Sequence, residues 1–200
     1  MSNMSVTRSS KVIVFVAVMG ALGNVLSFIS IKAAPLLPHI PLGPISVSVA
    51  IDLSHVATFI AALFGGPAVG GLTGLVGGAV AANEFGFSQG NIITGFGLPV
   101  GKAMTGFMAG LIIRYFGIME GRRIRIVLVT LASWVPEGVF TSLLFLVIFP
   151  PVYGMPVMVA KIITAQILVK AIVEMIVMGL ILAGLLGNRG FTEYVRGVFA

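Results

Sequence analysis

Six long apolar runs with short connections between them leave this chain few ways to fold. They are expected as membrane spans over residues 11–31, 45–64, 67–83, 94–116, 124–149 and 156–186. Crossing the hydrocarbon core takes about 20 mostly apolar residues, and every backbone polar group there must be satisfied within the helix itself. Only 9% of the residues are charged, against about 25% in a typical soluble domain. The expectation is an all-α integral membrane protein with a single domain over residues 1–200, folded as a bundle of six transmembrane helices.

The formal net charge of +6 raises the question of nucleic acid. The basic residues answer it by their positions: Arg8, Lys11, Arg114, Arg122, Arg123, Arg125, Arg189 and Arg196 all fall on the side that an even number of spans gives to both termini. The positive-inside rule makes that side cytoplasmic, so both termini are expected there, in a multi-pass protein of a prokaryotic plasma membrane with no nucleic-acid partner. The first run has no small-residue cleavage site before a polar mature chain, and is read as a retained span. The absence of cysteine excludes disulfides and thiolate metal sites.

The connections on the opposite side are longer. Pro35, Pro38, Pro41 and Pro44 fix four φ angles within ten residues and predict a stiff, non-helical loop after the first span. Residues 84–91 and 150–156 form the other two outer loops, whereas Gly65-Gly66-Pro67 is a tight inner turn with proline in a first-turn position. Gly66, Gly70, Gly74 and Gly78 recur every fourth residue, a small-residue row that lets helix backbones approach closely in lipid. A smaller patch on the first span, Ala17, Gly20 and Ala21, suits a neighbouring helix or a partner protein.

Charged side chains well inside a span cost about 2.5–3.5 kcal/mol each if they face lipid. Lys102, Glu137, Lys170 and Glu174 are therefore expected to point into the bundle. Residues four apart share a helix face, so Gln166, Lys170 and Glu174 form one stripe, and Trp134 and Glu137 belong to another. Following the spans in their expected directions brings these to similar depth with Lys102, beneath Asn83, Glu84 and Asn91 and the loop holding Tyr153. Together they predict a pocket open to the outside for an organic molecule with several hydrogen-bonding groups. The alternative is helix-to-helix glue, Lys170 pairing with Glu174 and Lys102 with Glu137.

Asp52 and His55, with His39 nearby, raise a metal site, but capping of the second helix by Asp52 or Ser54 is the favoured role and no metal is expected. The letters Gly86-Phe-Ser88-Gln-Gly90 match a nucleophile elbow without its strand-turn-helix setting, so no catalytic residue is assigned and no enzyme is expected. No phosphate-binding loop is present, so nucleotide hydrolysis is not expected of this chain, nor is a cofactor.

The order of these features resembles the substrate-binding S components of energy-coupling factor (ECF) transporters, over nearly the whole stretch from Lys11 to Leu186. The residues that carry it are the proline-rich first outer loop, the segment from Ile51-Asp52-Leu-Ser-His to Gly65-Gly-Pro67-Ala-Val-Gly-Gly71, and Ala17-x-x-x-Ala21. The resemblance implies a high-affinity binding protein that captures a vitamin or precursor at the outer face. It also implies partners, a transmembrane coupling subunit docked on the first helix and two ATPase subunits. Pro151-Val-Tyr-Gly-Met155 and the surroundings of Lys170 look like riboflavin-binding members, which puts riboflavin first, while residues 94–101 are similar to thiamine-precursor members. A histidine directly after the initiator methionine, used by the metal-transporting branch, is lacking. The competing expectations are a self-contained proton- or sodium-coupled transporter and an intramembrane assembly factor without cargo.

Overall fold

The computed structural model of the chain describes residues 2–36, 39–42, 45–48, 51–116 and 123–199. Helix α1 (Ser2–Ala33) runs into a short turn and a two-stranded antiparallel hairpin, β1 (His39–Leu42) and β2 (Ile45–Ser48), with His39 opposite Ser48 and Leu42 opposite Ile45. There follow α2 (Ser54–Gly77), α3 (Ala79–Phe85), α4 (Ile92–Phe116), α5 (Arg123–Leu143), α6 (Phe149–Tyr153), α7 (Val157–Gly187) and α8 (Arg189–Phe199). Pro38, Pro44 and Arg122 lie outside the described residues, as does the side chain of His39 and with it the three-residue metal alternative.

Five helical stretches among the described residues are long and apolar enough to cross a membrane, and one of them, Ser54–Gln89, is folded back on itself. The fold lies at Gly66, whose φ of 82° and ψ of −169° belong to a region essentially closed to other residues. The consequence shows on α1: a Cβ built on Gly23 would lie 3.3 Å from the Gly77 Cα and 3.6 Å from the Ser54 carbonyl oxygen. Both ends of α2 thus meet the same point of α1, so that the five stretches make six helical passes among the described residues. Gly66→Ala is expected to cost about 1–3 kcal/mol for the strained backbone. Gly184→Ala, whose added Cβ meets open space, should be neutral or stabilising, and thermal unfolding of the detergent-purified protein compares the two.

Three boundaries differ from expectation. The second span starts at Ser54 and not at Ile45, because Ile45-Ser-Val47-Ser alternates apolar and polar residues in the two-residue period of a strand. Pro150 and Pro151 are not loop: α5 continues through a widened five-residue turn, Leu144–Ile148, into α6, where both prolines occupy the first turn. The polar-faced C-terminal helix α8 was not expected; it begins just after Asn188, whose side chain accepts the Phe191 amide hydrogen bond at 3.1 Å.

Packing divides the bundle into two halves. Around the Gly66 turn, Phe15, Phe59, Met178, Leu182 and Val195 bring α1, α2, α7 and α8 into one apolar core, and the Phe64 ring meets Phe191 edge-on. The glycine row fits α2 against α4, with a Cβ on Gly70 falling 2.5 Å from the Gly106 carbonyl oxygen. Such backbone-to-backbone seating is how helices associate where lipid removes the hydrophobic drive between them.

Candidate functional site

The other half of the bundle, where α1 ends and α4 and α7 begin, is hollow. A cavity of about 530 Å³ is lined from α1, the start of α2, α3, α4, α5 and α7, within the roughly 300–1,000 Å³ usual for small-molecule sites. Phe85, Phe145, Phe149 and Trp134 give it aromatic walls, while Asp52, His55, Lys102, Glu137, Lys170 and Glu174 supply its ionisable groups.

Lys102 is held by the glycine packing. A Cβ on Gly74 would collide with the Lys102 carbonyl, so α4 lies against α2 at this level and the lysine, 3% exposed, reaches the start of α2. Its Nζ donates to Asp52 Oδ2 at 2.8 Å and to the Ser54 hydroxyl. Asp52 Oδ1 in turn accepts from the Ser54 amide at 3.0 Å in the turn that leads into α2; the cap position itself is Leu53, so neither Asp52 nor Ser54 is the helix cap that was expected. Burial alone would raise the Asp52 carboxyl, but Lys102, His55 and the Ser54 hydroxyl outweigh it and hold it well below the usual carboxylate range.

A second pair sits across the cavity. Lys170 Nζ lies 3.5 Å from Glu174 Oε1, one turn along α7, and the same oxygen accepts the Asp52 amide hydrogen bond at 3.0 Å. The Leu53 amide donates to Ser30 Oγ at 3.2 Å, so α1, α4 and α7 are all tied to the residues that open α2. Glu137 differs: its carboxyl accepts a short hydrogen bond from the Thr105 hydroxyl, and among the described residues no cationic side chain lies within 4.0 Å of it. Lys102 therefore pairs with Asp52 and not with Glu137, whereas Lys170 and Glu174 do pair.

Two residues that border the cavity, Ser27 and His55, each bury a polar atom, Oγ and Nδ1, that has no hydrogen-bond partner among the described residues and is itself closed to solvent. Leaving such a group unmet costs about 1–3 kcal/mol, so the wall of the cavity is held at some expense in stability.

Of the expected site residues, Asn91, Lys102, Trp134, Glu137 and Lys170 line the cavity. Tyr153 reaches it indirectly, its hydroxyl donating to Asn91 Oδ1 at 3.1 Å, while that oxygen also accepts the Thr94 amide hydrogen bond at the start of α4. Asn83, Glu84 and Gln166 are not on the lining. In α3 the cavity face is Ala81 and Phe85, four residues apart, which turns Asn83 away and leaves Glu84 at the edge of that face, 4.0 Å from Lys32 of α1. Gln166 is half-buried on α7, and the face that lines the cavity there begins at Ile167. The expected partner patch is also split: Ala17 and Ala21 face outward, but Gly20 is buried against Val76 of α2.

Asp52, Thr105, Ser27 and Ser30 enter the site beyond expectation. Thr105 could have been found as the residue three after Lys102 on the same face of α4. Ser27 and Ser30 gave no such signal, because serine in a span is ordinarily satisfied by its own helix backbone. Ser88 of the elbow-like letters donates to the Glu84 carbonyl at 2.9 Å in the turn between α3 and α4, where no strand precedes it.

Compared with protein-family models, curated proteins and solved structures, the chain matches none of them.

Proposed function

We propose that this chain is the membrane-embedded substrate-binding component of an ECF-type importer, taking up a water-soluble vitamin or precursor from the outer face. The observation that carries the reading is the cavity itself, ligand-sized and lined by aromatic and ionisable side chains drawn from almost every helix. Residues that serve only to glue helices have no reason to surround a space of this size. Release inward would then depend on a coupling subunit and ATPases, with Ala17 and Ala21 on the outward face of α1 available to such a partner. Riboflavin is the first candidate by sequence resemblance, and the two segments that suggest it bring Met155 and Lys170 to the lining.

The test is native mass spectrometry of the detergent-purified protein, with its absorbance spectrum and titrations of riboflavin, thiamine and the thiamine pyrimidine precursor. A small molecule carried through purification or bound at submicromolar concentration supports the proposal. A protein that binds none of them and yields no co-purified molecule favours the assembly-factor reading, and uptake by vesicles lacking any ATPase favours the self-contained transporter.

Lys170 is 37% exposed at its side chain, and so remains free to turn toward a ligand while Glu174 keeps the Asp52 amide. Lys170→Met is expected to weaken binding about 10- to 100-fold, the value of a hydrogen bond from a charged donor, with little change in unfolding temperature. Normal binding with aggregation on extraction would show the lysine to be structural.

A further inference from the structure

The cavity lining carries three carboxyl groups, Asp52, Glu137 and Glu174, against two lysines, Lys102 and Lys170. Lys102 is buried against Asp52 at 2.8 Å, and Lys170, though partly exposed, has Glu174 as its partner at 3.5 Å. Glu137 is left with the Thr105 hydroxyl and no cation. Removing a carboxylate from water without a counter-charge is costly, and a positive group brought beside it recovers that cost.

The neighbourhood of Glu137 suits such a group. Trp134 lies three residues earlier on α5, also lines the cavity, and has its indole folded over Gly138, where an added Cβ would come within 2.9 Å of the ring. An indole next to a carboxyl group is a favourable setting for an organic cation, which the ring attracts through its quadrupole and the carboxylate through its charge.

We infer that the natural ligand carries a positively charged nitrogen, seated against Glu137 and Trp134. The inference rests on the binding-protein reading and names its substrate class: a cationic heteroaromatic or amine-bearing vitamin or precursor ranks ahead of riboflavin, which has no positive charge.

The experiment titrates the full-length detergent-purified protein with thiamine and with a matched pair differing in charge, the pyridinium cation 1-methylnicotinamide and neutral nicotinamide. Any molecule released from the purified protein is identified in parallel. Glu137→Gln is the test variant, because its amide oxygen can still accept from Thr105 and its shape is unchanged. The expected result is that the co-purified molecule or the tightest probe is a cation, and that E137Q weakens it at least tenfold while leaving nicotinamide within about twofold. Selectivity between the charged and neutral members of the pair is a readout that a merely structural glutamate would not move. A neutral or anionic molecule bound tightly, and equally by E137Q, overturns the cation assignment and leaves the binding-protein reading standing. No bound molecule and no binding of any probe overturns both.

Discussion

Exchanging Lys102 for methionine is expected to lower the stability of the bundle by about 3–5 kcal/mol, the usual cost of removing one partner from a buried ion pair. Asp52 and the Ser54 hydroxyl both lose their partner, at the point where α2, α4 and α7 are joined. Asp52 retains some solvent access, its side chain being 27% exposed, which places the loss toward the lower end of that range. The pH dependence follows in sign. Without Lys102, burial dominates and raises the Asp52 carboxyl above its unfolded value near 3.8. The unfolded chain then releases that proton first, so the deficit is small below about pH 4 and grows as the pH rises. Asp52→Asn in the same chain should recover most of the loss at neutral pH. Thermal unfolding in detergent from pH 4 to 8 measures all three proteins, and a double variant no more stable than K102M would show the pair to be energetically incidental.

The second large effect is expected from Gly74→Leu. A Cβ there meets the Lys102 carbonyl, which is backbone and cannot turn aside as a side chain would. The helices must separate, and because that contact also aims Lys102 at Asp52, the ion pair is strained together with the packing. Overpacking of well-filled sites costs typically about 1–3 kcal/mol, and a clash with backbone belongs at or above the top of that range. Gly71→Ala on the next face is the control: its Cβ would lie 3.3 Å from Phe107 Cβ, a distance that small adjustment accommodates. The measurement is the fraction remaining monodisperse after heating. Equal survival of the two variants would mean that the glycine row does not set the α2–α4 distance.

The remaining expectations concern the cavity, and they separate stability from binding. Lys170→Met and Glu137→Gln should leave the fold near its original stability while changing affinity, because neither residue ties two helices together by an ion pair. Lys102 does the opposite, being buried in a cross-helix network that forms part of the cavity wall. A ligand-binding defect in a Lys102 variant would therefore report a displaced site before it reported a lost contact.

The chain by itself determined that it spans a membrane as helices, about where most of them lie, and which charges must be hidden. Hydrocarbon imposes these outcomes locally: an apolar run of sufficient length has to satisfy its own backbone, and a lysine or glutamate within it has to face inward. The turn at Gly66-Pro67 was legible for the same reason, since only glycine adopts its φ and ψ readily. The choice of partners was not local. Lys102 is drawn to Asp52, fifty residues earlier, and not to Glu137, because the glycine row seats α4 on α2 in one register, and that register was set by backbone contact along the whole row. Asn83 lies on the side of α3 away from the cavity, and Glu84, at the edge of the cavity face, lies beside Lys32 of α1. The hairpin replaced the expected start of the second span because two-residue alternation there favoured a strand over a helix. What tertiary structure alone decided was rotation and register, the quantities that settle which inward-facing groups meet and which, like Glu137, are left for a ligand.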